Sequence, residues 1–249
     1  MPAVERYTDY DPLAWFYSRH WGFEYHQQVI PILDKLALTQ LQPGGTILDL
    51  CCGDGRLSAV LVARRFHVTG LDGSKEMLRL AAENAPAAEW LLADARAFEA
   101  RARFDLAISI FESLNHIMSI EDLSAVFENV FHALRPGGPF VFDLNREPAF
   151  QTFWNRTYTI DGGDGICKSH TRYDDAEKIG YCDLTLESAA DGVSGISRFT
   201  ITQKCHSAMA VKTALEAAKF QDIEQFDAAG DLGMSGDIAM ARTFFRCRK

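Results

Sequence analysis

Strand-type and helix-type segments alternate over residues 41–150. A run of β type without helical period follows over about 156–206, and the alternation resumes after 207. Together these three observations predict an α/β chain: a three-layer α/β/α core around a parallel sheet, with an antiparallel β insertion after its fifth strand.

Hydrophobic residues at 47% and charged residues at 24% of 249 are ordinary globular usage, and the length suffices to bury a core. The acids outnumber the bases, 34 to 25, for a net charge of −9. Such a surface repels phosphate backbones and anionic headgroups, so nucleic acid and membrane are not expected as partners. No apolar run approaches the ~18 residues of a membrane span. The opening MPAVERYTDYDPLAWFY lacks a basic flank leading into a long apolar stretch, so no signal peptide and a cytoplasmic location are expected. Cysteines stand at 51, 52, 167, 182, 205 and 247 without CxxC spacing, which reads as free thiols in a reducing compartment and no metal site.

The elements follow in order. Residues 1–40 form a helical leader rich in aromatics, among them Tyr7, Tyr10, Trp15, Phe16, Tyr17, Trp21, Phe23 and Tyr25. Pro43-Gly44-Gly45 marks a turn, and Thr46–Leu50 is an apolar strand. Gly55–Arg65 is helical, Phe66–Leu71 a strand, and Ser74–Asn84 a helix with Met77, Leu80 and Ala81 on one face. Short strands come at Trp90–Leu92 and Leu106–Ile110. The cleanest helical period is Glu121–Leu134, where Leu123, Val126, Phe127, Val130, Phe131 and Leu134 share a face. Pro136-Gly137-Gly138 stops it, and Phe140–Leu144 is the fifth strand. Tyr158–Ile160, Ile166–Tyr173, Ile179–Leu186 and Ile196–Cys205, parted by Gly/Asp turns at 161–165 and 191–195, read as an antiparallel meander. Ser207 caps a last helix, and strands follow at Ile223–Asp227 and Arg242–Arg248. The units are thus a leader (1–40), a core (41–150 and 207–249) and a β lid (151–206).

The chemistry concentrates at the strand ends. Gly53 and Gly55 follow the first strand and open a helix, where backbone can approach a ligand closely. Asp72 ends the second strand, where a carboxylate can accept from ribose hydroxyls, and Asp94 closes the third. Three such features in register converge on the crevice where open α/β sheets bind nucleoside-type ligands. The dinucleotide pattern G-x-G-x-x-G wants a third glycine where Ser58 stands, and Asp49 would crowd a pyrophosphate.

At these motifs the chain resembles the class I S-adenosylmethionine-dependent methyltransferases: ILDLCCGDGRLS, GLDGSKEML, LLADARAF, FDLAISIFESLNHI and LRPGGPFVFDLN are similar to the family's successive motifs. The resemblance implies a Rossmann-like, seven-stranded sheet whose last strand is antiparallel and inserted between strands five and six, and S-adenosylmethionine as cofactor. It implies that Asp49, Cys51, Gly53 and Gly55 lie along the methionine part, that Asp72 grips the ribose, and that Gly73 and Met77 flank the adenosine. Asp94 and Ala95 would hold the adenine edge, with Phe111 and Trp21 covering the cofactor.

The leader and the β insertion also resemble those of small-molecule N-methyltransferases, including enzymes that dimethylate amino sugars. In those enzymes a His at the position of His116 and a Tyr near Tyr17 face the methyl acceptor, so both are expected to be catalytic. The chain departs in having Glu112 and Asn115 around that His, and it lacks the Asn-Pro-Pro-Tyr segment of enzymes that methylate adenine or glutamine amides. His116 reads either as a base for an amine acceptor or as a structural residue. Asn115, Arg146 and Arg172 are candidate substrate contacts, Arg172 from a basic stripe with Lys168 and His170. The expected activity is methyl transfer to a small amine or hydroxyl by a monomer or homodimer. A nicotinamide-dependent Rossmann oxidoreductase and a non-catalytic S-adenosylmethionine-binding protein stand as alternatives.

Overall fold

The computed structural model describes residues 9–21, 23–188 and 195–249. Tyr7 and most of the expected 191–195 turn lie outside them, and at Phe23 only the backbone is described. The core strands are β1 (Thr46–Leu50), β2 (His67–Asp72), β3 (Glu89–Leu92), β4 (Leu106–Ser109), β5 (Pro139–Asn145), β10 (Gln221–Asp227) and β11 (Arg242–Arg248). They form one sheet in the order β10-β11-β5-β4-β1-β2-β3. β1 pairs in parallel with β2 and β4, while β11 runs antiparallel between β5 and β10. This is the expected seven-stranded arrangement.

The strands are apolar on both faces because both faces are covered. Leu48, Leu50, Phe140 and Phe142 face α5 (Ile120–Ala133) and α7 (Ala208–Ala217), whereas Ile47, Ile108 and Val141 face α2 (Phe23–Leu36) and α3 (Arg56–Ala63). Local signals set the helix ends. Ser74 caps α4 (Lys75–Asn84) by accepting from Met77 N, Ser119 caps α5 from Asp122 N, and Ser207 caps α7 from Ala210 N.

The lid is a second sheet, β6 (Thr157–Asp161), β7 (Gly165–Asp174), β8 (Ile179–Ser188) and β9 (Gly195–Lys204), in that order and antiparallel throughout. Its inner face carries Cys167, Leu184, Leu186 and Ile201, which pack on Leu13 and Phe16 of the leader. The leader is helical in pieces: α1 (Ala14–His20) ends at an extended Trp21 before α2 begins. One expected boundary is corrected. Residues 151–153 belong not to the lid but to α6 (Glu147–Phe153), started by a Pro in its first turn. Among the described residues no helix is long and apolar enough to cross a membrane.

Candidate active site

A cavity of about 570 Å³ opens at the carboxyl ends of β1, β2, β3 and β4, between the core, α1 and the lid. The loop after β1 makes one end of it. Gly53 and Gly55 have φ of +54° and +74°. A Cβ on Gly55 would stand 2.7 Å from the Trp90 ring and 2.9 Å from Ala81 Cα, so the turn needs glycine there. A Cβ on Gly53 would meet nothing within 4 Å, which leaves its backbone facing the cavity.

Four carboxylates gather around this loop. Asp49, 2% exposed, accepts from Ser58 Oγ at 2.6 Å. Burial, helped by the neighbouring Asp72 charge, pushes it up to about 7 against that hydrogen bond. Asp72 accepts from Gly53 N at 2.9 Å through one oxygen and from Ser74 N at 2.8 Å through the other. Burial raises its pKa, and these two N–H groups pull it back. Asp54 is buried with Arg56 Nε at 3.3 Å, and its Oδ2 has no hydrogen-bond partner. Asp94 is clamped by Arg96, which reaches one oxygen with its backbone N and Nε and the other with Nη2 at 2.7 Å. Cys51, Gly73, Met77 and Ala95 line the same end.

The other end is aromatic. Tyr17 stacks on Trp21 at 6.4 Å, Trp21 meets Tyr158 edge-on at 6.1 Å, and Phe111, Phe153 and Trp154 complete the wall. Phe111 and Glu112 are left-handed, with φ of +68° and +45°. Asp143 holds them there. It accepts from Phe111 N at 2.7 Å, Glu112 N at 3.1 Å, Tyr25 Oη at 3.0 Å, and Arg242. The Arg242 guanidinium also pairs with Glu112, and Tyr25 stacks on Phe111 at 4.4 Å. Sequence reasoning missed this knot. An Asp inside the otherwise apolar FVFDL strand was its one signal.

His116 lines the cavity from the 3-10 turn Ser113–His116. Its Nδ1 lies 2.8 Å from the Thr202 carbonyl, and its Nε2 3.2 Å from Tyr10 Oη and 3.4 Å from Gln203 Nε2. Burial lowers its pKa to about 4. Burial also pushes the Tyr17 phenol far up, so it stays protonated.

Three sequence-predicted substrate contacts lie outside the cavity. Asn115 is fully buried and spends its amide on backbone: Nδ2 donates to Asn145 O and Lys204 O, and Oδ1 accepts from Asn145 N. It ties β5 to β9 and has nothing left for a ligand. Arg146 turns away to pair with Asp227 of β10. Arg172 stands on the outer lid face, over the Tyr181 ring at 3.7 Å and paired with Asp183. The basic stripe around it is solvated and met by acids across the strand, Lys168 by Glu187. Tyr10, Thr171, Ile201 and Gln203 also line the cavity from outside every motif, as do Asp54 and Arg96, which stand in the motifs without a role assigned to them.

The methyltransferase domain family matches residues 47–138. Trans-aconitate 2-methyltransferase of Azoarcus sp. (strain BH72) is 36% identical over 116 residues, 45% of this chain and 44% of that protein. The chain spans about half the length of the curated relatives it matches. Among solved structures, an S-adenosylmethionine-dependent methyltransferase from Clostridium acetobutylicum superposes with a TM-score of 0.75 at 18% identity, covering 96% of this chain and 98% of its own. A sugar N-methyltransferase from Streptoalloteichus sp superposes at 0.73 and 18%, covering 100% and 98%. At that identity the superpositions establish the fold, lid included. Domain match, strand order and the register of glycines and acids agree: residues 47–138 match a methyltransferase domain, and the chain has the fold of the S-adenosylmethionine-dependent methyltransferases.

Proposed function

We propose that the chain transfers a methyl group from S-adenosylmethionine to a small amine or hydroxyl held between the aromatic leader and the lid. One observation carries this reading: buried carboxylates gather at the end of the cavity where the cofactor's cationic part belongs. Asp49, buried, and Asp72, half-buried, are costly to keep charged without a counter-charge, and Asp54 beside them has Arg56. A ligand bearing an ammonium and a sulfonium relieves that cost, whereas a dinucleotide pyrophosphate adds to the repulsion. The residues therefore fit S-adenosylmethionine and argue against a nicotinamide cofactor. Asp49, Cys51, Gly53 and Asp54 would hold its methionine part, Asp72 and Gly73 the ribose, Met77, Asp94 and Ala95 the adenine, and Phe111 and Trp21 would cover it; Gly55, expected from sequence to join them, lies outside the lining and packs on Trp90 and Ala81 to shape the turn.

When bound, the cofactor supplies a methyl group already activated by positive sulfur. The protein's share is alignment and exclusion of water. Tyr17, Trp21, Phe111 and Tyr158 wall the chamber, and the inner face of the lid closes it with Leu184 and Ile201. His116 is neutral at physiological pH and too weakly basic to strip an ammonium, so it holds its neighbours rather than taking a proton. Of the two readings the sequence left open for His116, base or structural residue, this takes the second. The acceptor would enter as a free amine, with Tyr17 as a hydroxyl donor.

The cavity charge separates acceptor classes. Asp54 is paired with Arg56, Asp94 with Arg96 and Glu112 with Arg242, which leaves Asp49, Asp72 and Asp122 as the excess acids of the lining beside Arg156. Such a lining suits an amine, as in the sugar N-methyltransferase, better than a polyanion such as trans-aconitate. Methyl-labelled S-adenosylmethionine incubated with fractionated cell metabolites tests the reading, beside calorimetry against S-adenosylmethionine and NAD. Label entering a basic, amine-bearing fraction is the expected result. Tight NAD binding without S-adenosylmethionine binding would refute it.

A further inference from the structure

Gln203 projects from β9 with 8% of its surface exposed and lines the cavity beside His116. The histidine dictates which way its amide faces. The Thr202 carbonyl at 2.8 Å can only accept, so His116 carries its proton on Nδ1. The ring's low pKa, caused by burial, keeps it in that neutral form. Nε2 is then a lone pair. It accepts from Tyr10 Oη and from the Nε2 amide group of Gln203.

A flipped Gln203 would set its oxygen against that same lone pair, two acceptors face to face. With the amide nitrogen turned to His116, Oε1 is left buried and without a hydrogen-bond partner. An orphaned buried carbonyl oxygen is costly, and native structures seldom keep one without a use for it. Ile201, two residues back on the same strand, is apolar, and the cross-strand Cys182 thiol lies against Ser169 Oγ.

We propose that Gln203 Oε1 accepts an N–H hydrogen bond from the methyl acceptor and thereby aims the acceptor's lone pair at the methyl group. This rests on the methyltransferase reading above and deepens it. It names the acceptor class as a primary or secondary amine, and excludes a tertiary amine. Engaging one N–H of a tetrahedral nitrogen fixes where its lone pair points. As the new N–C bond forms from that lone pair, the C–S pair passes to sulfur and the nitrogen gains positive charge. The N–H···Oε1 bond strengthens at that moment, so the contact is better in the transition state than in the ground state. The product ammonium then releases its proton to water. His116 acts through Gln203 and is a positioning residue.

The test uses the whole chain, methyl-labelled S-adenosylmethionine and the metabolite fraction that wild type labels. Gln203→Met, isosteric but without an acceptor, should lower kcat/KM for that fraction about 10–100-fold, the worth of one charge-assisted hydrogen bond. Its affinity for S-adenosylhomocysteine should stay within about twofold of wild type. Its Tm should hold or rise, because an orphaned acceptor has been removed. Gln203→Glu keeps the acceptor oxygen but sets a second oxygen against the His116 lone pair, so it should recover only part of the rate and lose Tm. Wild-type kcat/KM in Gln203→Met would overturn the proposal. So would a fallen Tm in Gln203→Met, the mark of a structural residue. Wild type that binds S-adenosylmethionine yet labels no fraction would overturn the methyltransferase reading itself, and this assignment with it.

Discussion

Arg242 of β11 and Asp143 of β5 form an ion pair with both side chains out of water, 3% and 0% exposed. Glu112 joins the same guanidinium, and the left-handed Phe111-Glu112 pair hangs from Asp143 by two backbone N–H groups. The loop that is to cover the cofactor is thus held by a strand near the end of the chain. Burying this triad is costly, but removing one member costs more, since the others are left charged and unpaired.

Arg242→Met should therefore destabilise the protein by about 3–5 kcal/mol in urea unfolding. Adding Glu112→Gln should restore part of the loss, by removing one uncompensated charge. If Arg242→Met unfolds at the wild-type midpoint, the triad does not support the fold.

Asp72→Ala should weaken S-adenosylmethionine binding by about 2–4 kcal/mol, through the loss of two charge-assisted hydrogen bonds to the ribose. The same carboxylate anchors Gly53 N and Ser74 N, so a stability loss of about 1 kcal/mol should accompany it. Calorimetry on Asp72→Ala and Asp72→Asn decides the matter, and wild-type affinity in both would remove Asp72 from the ribose.

Asp49 makes a pH-dependent signature. Burial raises its folded pKa from the ordinary 3.8 to about 7, so between those values the folded state holds more protons than the unfolded. Its contribution is full below pH 4 and is lost as pH rises toward 7. His116 works oppositely: its folded pKa of about 4 lies below the ordinary 6.5, so its contribution grows as pH rises through that interval. The difference between wild type and Asp49→Asn isolates the first effect. Asp49→Asn should be more stable than wild type at pH 8, by roughly 1–3 kcal/mol, and equal to it near pH 4. It should also bind S-adenosylmethionine more weakly at pH 8, because the counter-charge is gone. Parallel stability curves for the two proteins would rule this out.

His116→Ala should lower turnover by about 10²-fold while S-adenosylhomocysteine affinity stays unchanged. His116→Gln can offer Gln203 and Tyr10 an acceptor oxygen and should retain turnover within about tenfold of wild type. With its pKa near 4, the imidazole should leave no inflection in kcat/KM between pH 5.5 and 8. An inflection in that range that vanishes in His116→Gln would restore the general-base role.

The core was legible because its determinants are local. Two-faced apolar strands, serine caps, Pro-Gly turns and one long amphipathic period each act within a few residues. They placed β1, β2, α4, α5, β5 and the lid strands close to where they stand. The glycines and acids at successive strand ends fell into register for the same reason, since a strand end and a helix start are fixed by neighbours in sequence. The short helix α6 went unseen because seven residues after a strand carry too little period to read.

Pairing across the chain decided the rest. Arg242 meets Asp143 across 99 positions only because β11 inserts beside β5, and Gln203 meets His116 across 87 only because the lid folds back over the core. Whether Asn115 contacts a ligand or spends its amide on two backbone strands is a question of burial, and so is the outward turn of Arg172. The sequence by itself determined a methyltransferase-type sheet with its glycine and acid register, through local sterics and hydrophobic period. Only the tertiary structure decided which polar groups are satisfied internally and which, like Gln203 Oε1, are not, because a hydrogen bond depends on distances in space that residue order does not carry.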